Sequence, residues 1–422
     1  MKTNKMWSVL IIALVVVMAL SACKPAAPEA PAADEPAAEE AVAEEPADTG
    51  GLQIPDIEDG KFNVALVMLS PHDDGGWSQA QWEGLTYLEE NMEGVHTAYM
   101  ESVAEGADSE QAFRALSRKG FDMIIGGSFG YMDPMEMVAS EFPDIYYIHI
   151  SGYKSNMTNF GNLFGAMEDM KYLAGMIAGS RAKMDGATKT GIMATFEIPE
   201  EFRLANGFAL GLRETCPECT LDIRWIHTWH DPVVEREAAD SLFDAGSHVV
   251  ITGADTPAPA LAAADREGVY AITYDWVGSC TVDECLTTPY WIWGPVFKRV
   301  AEGIKAGTYE AGWDYYDADA GGMGLYGFME GQELQPGVAE LPAEDLELIK
   351  STLAAMLAGD FTRFDVFSGE IKDNKGNVVI PAGEQITQAD VDQFFPGAPG
   401  LECEYGMYWY AEAITAELPP LE

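Results

Sequence analysis

Aromatic residues and short polar side chains keep company at a handful of places in the sequence. Asp73-Asp74-Gly75-Gly76-Trp77-Ser78-Gln79 comes first, then Ser128-Phe129-Gly130-Tyr131-Met132-Asp133. Phe196-Glu197-Ile198-Pro199, Trp229-His230-Asp231-Pro232 and Gly253-Ala254-Asp255-Thr256 follow. Asp275-Trp276 and Tyr290-Trp291-Ile292-Trp293-Gly294 complete the set. Flat aromatic faces can sandwich a planar heterocycle, and Asp, Ser or Thr can hydrogen-bond its edge. On that chemistry the binding candidates are Asp74, Trp77, Ser78, Phe129 and Tyr131, then Phe196, Trp229, Asp255, Asp275 and Trp293. Gly75 and Gly76 would let the backbone approach a ligand closely, and a helix start behind them would offer free N–H groups.

Other chemistries fit less well. Gly126-Gly127-Ser128-Phe129-Gly130 matches the G-x-S-x-G elbow of serine hydrolases. That alternative needs a later Asp and a His in triad geometry, for which His149, His227, His230 and His248 are available. His227 and His230 stand three apart with no Cys or Glu-x-x-His partner nearby, so they read as loop histidines rather than zinc ligands. Asp73 and Asp74 read as a helix-start anchor or ligand contact rather than a calcium or acid/base pair. With no G-x-G-x-x-G or P-loop pattern, neither a cofactor nor a metal is expected. Of six cysteines, Cys23 stands apart; Cys216 with Cys219 and Cys280 with Cys285 is one disulfide pairing among several, and it leaves Cys403 over. A redox or zinc role for Cys216-Pro217-Glu218-Cys219 is a lesser alternative in an exported protein.

These stretches fall where apolar strand-like runs give way to helical ones. Strands are expected at Phe62–Leu69, Val95–Met100, Phe121–Ile125 and Ile145–Ile150, with helices between them. The rhythm breaks near Ser151 to Phe164, then resumes after a helix over about Asp169–Lys183. Strands at Thr188–Thr195, Leu221–Thr228, Val249–Thr252 and Val269–Tyr274 alternate with four more helices. Such alternation predicts βαβ units and parallel sheets in two lobes, with ligands beyond the carboxyl ends of the strands. Asp365 to Ile380 reads as a hairpin turned at Asp373-Asn374-Lys375-Gly376.

The 422 residues carry a formal charge of −45, and 48% are hydrophobic. Such acidity repels phosphate backbones and sets nucleic-acid binding aside. Lys2 and Lys5 precede an apolar run to Leu20, and Leu20-Ser21-Ala22-Cys23 matches a lipobox. Residues 1–23 are therefore expected to be a lipoprotein signal peptide, with Cys23 lipidated and tethering the protein to a membrane. The Ala-, Pro- and Glu-rich residues 24–55 are expected to be a disordered spacer.

Asp74-Gly75-Gly76-Trp77-Ser78-Gln79, Tyr172-Leu173-Ala174-Gly175 and Ala205-Asn206-Gly207-Phe208-Ala209-Leu210-Gly211 resemble the basic membrane protein (BMP) family of substrate-binding lipoproteins. Phe129 to Pro134, Trp229 to Pro232, Trp293-Gly294-Pro295 and Tyr408-Trp409-Tyr410 are similar to a branch of that family that takes free purine bases. The resemblance covers nearly all of the chain from Phe62 onward. It implies an α/β, two-lobed periplasmic-binding-protein fold of type I-like form, each lobe a parallel sheet flanked by helices. The lobes would comprise 60–165 with about 286–325, and 166–285 with about 326–422. It implies a non-enzymatic, monomeric, extracytoplasmic protein that hands a purine base or nucleoside to an ABC permease and its ATPase, with a ligand-sensing lipoprotein that does not transport as the alternative. Carried over by position, Trp77 and Phe196 would stack on the two ring faces and Asp275 would be a polar contact. Ser78 in place of the usual Asn, and Ser151 in place of a frequent Asp, depart from ribose recognition and favour free base over nucleoside.

Overall fold

Phe62–Val67 (β1) is buried along almost its whole length, as a strand is when helices cover both faces of its sheet. The computed structural model describes residues 53–396 and 402–420. The expected signal peptide, Cys23 and nearly all of the spacer lie outside that range. After β1 come α1 (Trp77–Asn91), β2 (Val95–Met100), α2 (Ala107–Lys119), β3 (Met123–Gly126), α3 (Met132–Glu141), β4 (Tyr146–Ile150) and β5 (Phe160–Gly165). Then follow α4 (Met167–Met184), β6 (Lys189–Ala194), α5 (Pro199–Thr215), β7 (Thr220–Trp225), α6 (Pro232–Asp244) and β8 (Val249–Thr252). α7 (Ala258–Ala264), β9 (Tyr270–Ile272), β10 (Cys285–Thr287), β11 (Pro289–Trp291), α8 (Trp293–Ala306), β12 (Trp313–Tyr316) and β13 (Met323–Leu325) complete the core elements.

Two sheets result. One has the order β12-β5-β4-β3-β1-β2 and the other β10-β9-β8-β6-β7. Every strand pair in both is parallel. The fold is thus α/β, with two parallel sheets flanked by helices, as expected. After β10 the chain returns to give β12 to the first sheet, pairing beside β5. Helix α8 goes with it: a Cβ at Gly84 of α1 would lie 2.4 Å from Trp293 Cβ.

The central helix α4 is buried along most of its length and crosses α5 at backbone distance. A Cβ at Gly175 would lie 2.1 Å from Phe208 O, and one at Gly211 would lie 1.9 Å from Tyr172 O. Any larger residue at either position would force the helices apart. The two motifs Tyr172–Gly175 and Ala205–Gly211 therefore hold the fold, and not the solute. The carboxyl-terminal residues serve the second sheet in the same way. Ile414 bridges Leu221 of β7, Tyr410 stacks on Phe202 at 5.2 Å, and Asn206 Nδ2 donates to Trp409 O at 2.9 Å. Cys216 pairs with Cys219 and Cys280 with Cys285, while Cys403 is a buried thiol.

Two expectations need correction. The segment 151–164 contains most of β5, an interior strand. Its glycines hide it in sequence, since Gly lowers strand propensity, yet Gly161 is what admits the Tyr309 ring, whose hydroxyl would be 2.7 Å from a Cβ there. The hairpin is shorter than expected, pairing Ile371–Lys372 with Val378–Ile380. Residues 363–366 instead form a helical turn, because Thr362 and Asp365 make a capping box. No helix among the described residues is long and apolar enough to cross a membrane.

Candidate functional site

At the carboxyl end of β1 the chain turns into α1 through a loop fixed by one carboxylate. Asp74 Oδ1 accepts from the N–H groups of Gly76 (2.9 Å) and Gln79 (3.0 Å), and Oδ2 from that of Ser78 (3.0 Å). This satisfies otherwise unpaired helix-start donors and sets the direction of Trp77. The Trp77 indole donates to Gly127 O at 2.6 Å. Its ring meets Trp293, Trp291 and Phe164 edge-on at 5.7, 5.8 and 6.4 Å. Held from several directions, it has little rotamer freedom left to lose on binding.

A cleft of about 410 Å³, its open mouth included, lies between strand ends of the two sheets. Leu69, Trp77, Ser128, Phe129 and Ser151 line it from the first sheet. From the second come Glu200, Glu201, Trp229, Gly253, Asp255, Tyr274 and Asp275. Ser151 and Asp275 both have left-handed backbone, with φ of 68° and 69°. Non-glycine residues rarely adopt it, and such strain concentrates at functional sites. Asp275 is held there by Trp291: its N–H donates to Asp275 O at 3.0 Å and its indole to Asp275 Oδ1 at 2.9 Å.

The cleft wall is acidic. Lys171 of α4 is fully buried; its ammonium donates to Thr252 O at 2.9 Å and lies 3.3 Å over the Tyr274 ring. Burial pushes this lysine down, opposed by the charges of Asp275 and Glu201. Burial raises Asp275 well above the carboxylate range, against the pull of Lys171. Asp255 is raised by burial and then by the neighbouring Asp275 and Asp74. Asp255 Oδ2 and the Tyr274 hydroxyl have no hydrogen-bond partner among the described residues. A buried unpaired polar group costs about 1–3 kcal/mol, so a ligand offering N–H or O–H donors would relieve that cost.

The two sides of the cleft touch. A Cβ on Gly76 would be 1.9 Å from Asp255 O, and one on Gly75 would be 3.2 Å from Pro257 Cδ. The Trp276 indole donates to Glu83 Oε1 at 2.7 Å. This is a closed cleft. The Asp255 loop is braced from behind by fully buried Glu235, which accepts from the hydroxyl (2.6 Å) and N–H (3.1 Å) of Thr256. Burial pushes Glu235 up to about 7, although those donors pull it down. The folded protein thus holds this proton more tightly than the unfolded chain, whose carboxyl titrates near 4.5. The resulting stability is complete below the unfolded value and is lost as pH rises through about 7. The stability of the parent relative to Glu235→Gln should fall by roughly 3 kcal/mol between about pH 4.5 and 7.5. Melting curves of both proteins across that range check it, and a pH-invariant difference would contradict it.

The structure brings Trp77, Phe129, Trp229, Asp255 and Asp275 together in the cleft wall. Phe196 is half-buried with its ring 4.8 Å from Trp229, and of the two it is Trp229 that lines the cleft. Asp74 acts first as the cap of α1. Ser78 is fully buried, its hydroxyl accepting from Ser70 N at 3.3 Å. Tyr131 is core: its hydroxyl donates to Val103 O and its ring meets Phe113 at 5.5 Å. Trp293 lies between Trp291 and Phe297, at 4.9 and 5.6 Å. Apolar packing claims these last two, since aromatic runs at strand ends supply core as readily as contacts.

Ser128 lines the cleft, and its hydroxyl meets a carboxylate rather than a histidine. Its hydroxyl donates to Glu105 Oε1 at 2.6 Å, while His149 Nε2 lies 2.8 Å from the Ser128 carbonyl. Burial lowers His149 to about 4, so it is neutral. Glu200, Glu201, Tyr274 and Lys171 were not among the sequence candidates. The first two directly follow Pro199, at the start of a helix beyond a strand, which is a usable signal. Lys171 follows Glu168 and Asp169 near the start of α4, where a charged residue is ordinary, and nothing local marks it.

Comparison with known proteins places this geometry in context. A family model described as Bmp, ABC transporter substrate-binding protein PnrA-like, matches residues 61–338. A Haloferax volcanii protein, provisionally named ABC transporter glucose-binding protein TsgA13, is 36% identical over 262 residues. That match covers 62% of this chain and 64% of the relative. A purine-binding protein of Brucella abortus is 30% identical over 366 residues, 85% of this chain and 94% of that protein. An Aeropyrum pernix ABC transporter solute-binding protein has a similar fold, with a TM-score of 0.60 at 17% identity over 74% of this chain and 93% of its own.

Proposed function

Because the chain belongs to the Bmp family of PnrA-like ABC transporter substrate-binding proteins, we propose that its cleft takes a purine base, or a nucleoside, and hands it to a permease. The observation that carries this reading is that Trp77 from the first sheet and Trp229 from the second line one cleft together with the unpartnered carboxylate oxygen of Asp255. Indole rings offer broad apolar faces to a heterocycle, and carboxylates accept from its ring N–H and amino groups. The name of the Brucella relative supports the same class. Hinge closure of two lobes, 60–165 with about 286–325 and 166–285 with about 326–422, is the working motion. No bond is made or broken. A lipid on Cys23 holds the monomer beside the permease and its ATPase, and Cys23→Ser should release it from the membrane fraction.

A hexose is the second reading. The name of the Haloferax relative favours it, and buried carboxylates accept sugar hydroxyls as well as amino groups. Mass spectrometry of solute released by denaturing the purified protein separates the two. A purine recovered at near-equimolar amount supports the first reading, and a hexose in its place overturns it.

A further inference from the structure

We propose that Asp74, His230 and Asp255 form a binding site for a divalent cation of the zinc class, at the seam where the two sides of the cleft meet. One ligand atom of each lies within 4.8 Å of the other two. The three come from separate segments: Asp74 from the β1–α1 loop, His230 from the β7–α6 loop and Asp255 from the β8–α7 loop. The cluster therefore exists only when the loops of the two sheets are together.

Two polar atoms mark this as more than a meeting of charges. Asp255 is 4% exposed and its Oδ2 has no partner among the described residues; His230 Nδ1 is likewise buried and unpartnered. Asp74 is pinned by three backbone N–H groups, so its carboxylate is already placed. One imidazole with two carboxylates suits zinc, whereas calcium and magnesium prefer oxygen alone. Ligand atoms about 2.0–2.2 Å from an ion stand roughly 3.3 Å apart in tetrahedral geometry, a contraction that side-chain rotation of His230 and Asp255 supplies. Three protein ligands leave a fourth position open, and Asp255 also borders the cleft. A cation here would offset two adjacent carboxylates and tie the β1–α1 loop to the second sheet. Since it binds the closed form alone, it would stabilise closure by mass action.

The full chain, stripped with EDTA, is titrated by calorimetry with ZnCl2, and separately with CaCl2. We expect one zinc bound with micromolar or tighter affinity, and at least ~10-fold weaker calcium. His230→Gln and Asp255→Asn should each weaken zinc by about 100-fold or more, the most that losing a hydrogen-bond partner behind a ligand typically costs. His227→Gln is the control: that exposed ring pairs with Glu197 at 3.0 Å, and its loss should leave zinc affinity unchanged. Zinc should also raise the melting temperature of the parent but not of His230→Gln, and zinc-edge absorption should show one imidazole. Absence of saturable zinc binding, or parent-like affinity in folded His230→Gln, overturns the proposal. Circular dichroism establishes folding, and if Asp255→Asn does not fold, His230→Gln decides alone.

Discussion

Gly76→Ala is expected to weaken solute binding by on the order of 100-fold while shifting the melting temperature by only a few degrees. The added Cβ would stand 1.9 Å from Asp255 O and 2.6 Å from its carbonyl carbon. Both are backbone atoms, so no rotamer change removes the clash. The loops must separate by more than 1 Å, which leaves the solute facing one lobe and water instead of two walls. Losing the groups at the centre of an interface commonly costs 2 kcal/mol or more, and about 2.7 kcal/mol is 100-fold. The core that runs through α4 and both sheets is untouched, because Gly76 lies outside it, at the loop seam. Calorimetry with adenine, beside small-angle scattering with and without it, reads the effect. Parent-like affinity in Gly76→Ala would mean that the solute does not require this closed contact.

Trp77→Ala should weaken adenine binding by roughly 5- to 150-fold, taking ~1–3 kcal/mol for an aromatic face stacked on a base. The indole does more than stack, since it also meets Phe164, Trp291 and Trp293, and its loss leaves a gap among them. Trp77→Phe keeps an aromatic face but gives up the hydrogen bond to Gly127 O. It should therefore recover most of the affinity. A Trp77→Ala protein that binds adenine as tightly as the parent would remove the stacking role.

Much of the architecture was legible because strands buried on both faces are short apolar runs, and helices between them have their own period. β5 was not, because two of its six residues are glycines chosen for what they admit, Tyr309 and Tyr316, rather than for strand propensity. At the site, the loop positions were readable: strand ends in parallel sheets are where ligands go. Which aromatic faced the cleft was not. Trp229 and Phe196 both follow strands of the second sheet, and only packing decides that Trp229 lines the cleft. Tyr131 and Trp293 carry the same local signature as Trp77, yet their rings fill cores. The buried charges were hidden too, because Lys171 acquires its meaning from Asp275 and Glu201, which are distant in sequence. The family motifs at Gly175 and Gly211 turned out to mark a helix crossing, which explains how they identify the fold without identifying the solute.

The most direct test of a purine-type solute held between two lobes is calorimetric titration of the stripped full chain with adenine, hypoxanthine, guanosine, adenosine and D-glucose in parallel. The proposed purine reading predicts a saturable one-to-one heat with at least one purine, and none with glucose. Binding of glucose with no response to any purine would contradict it.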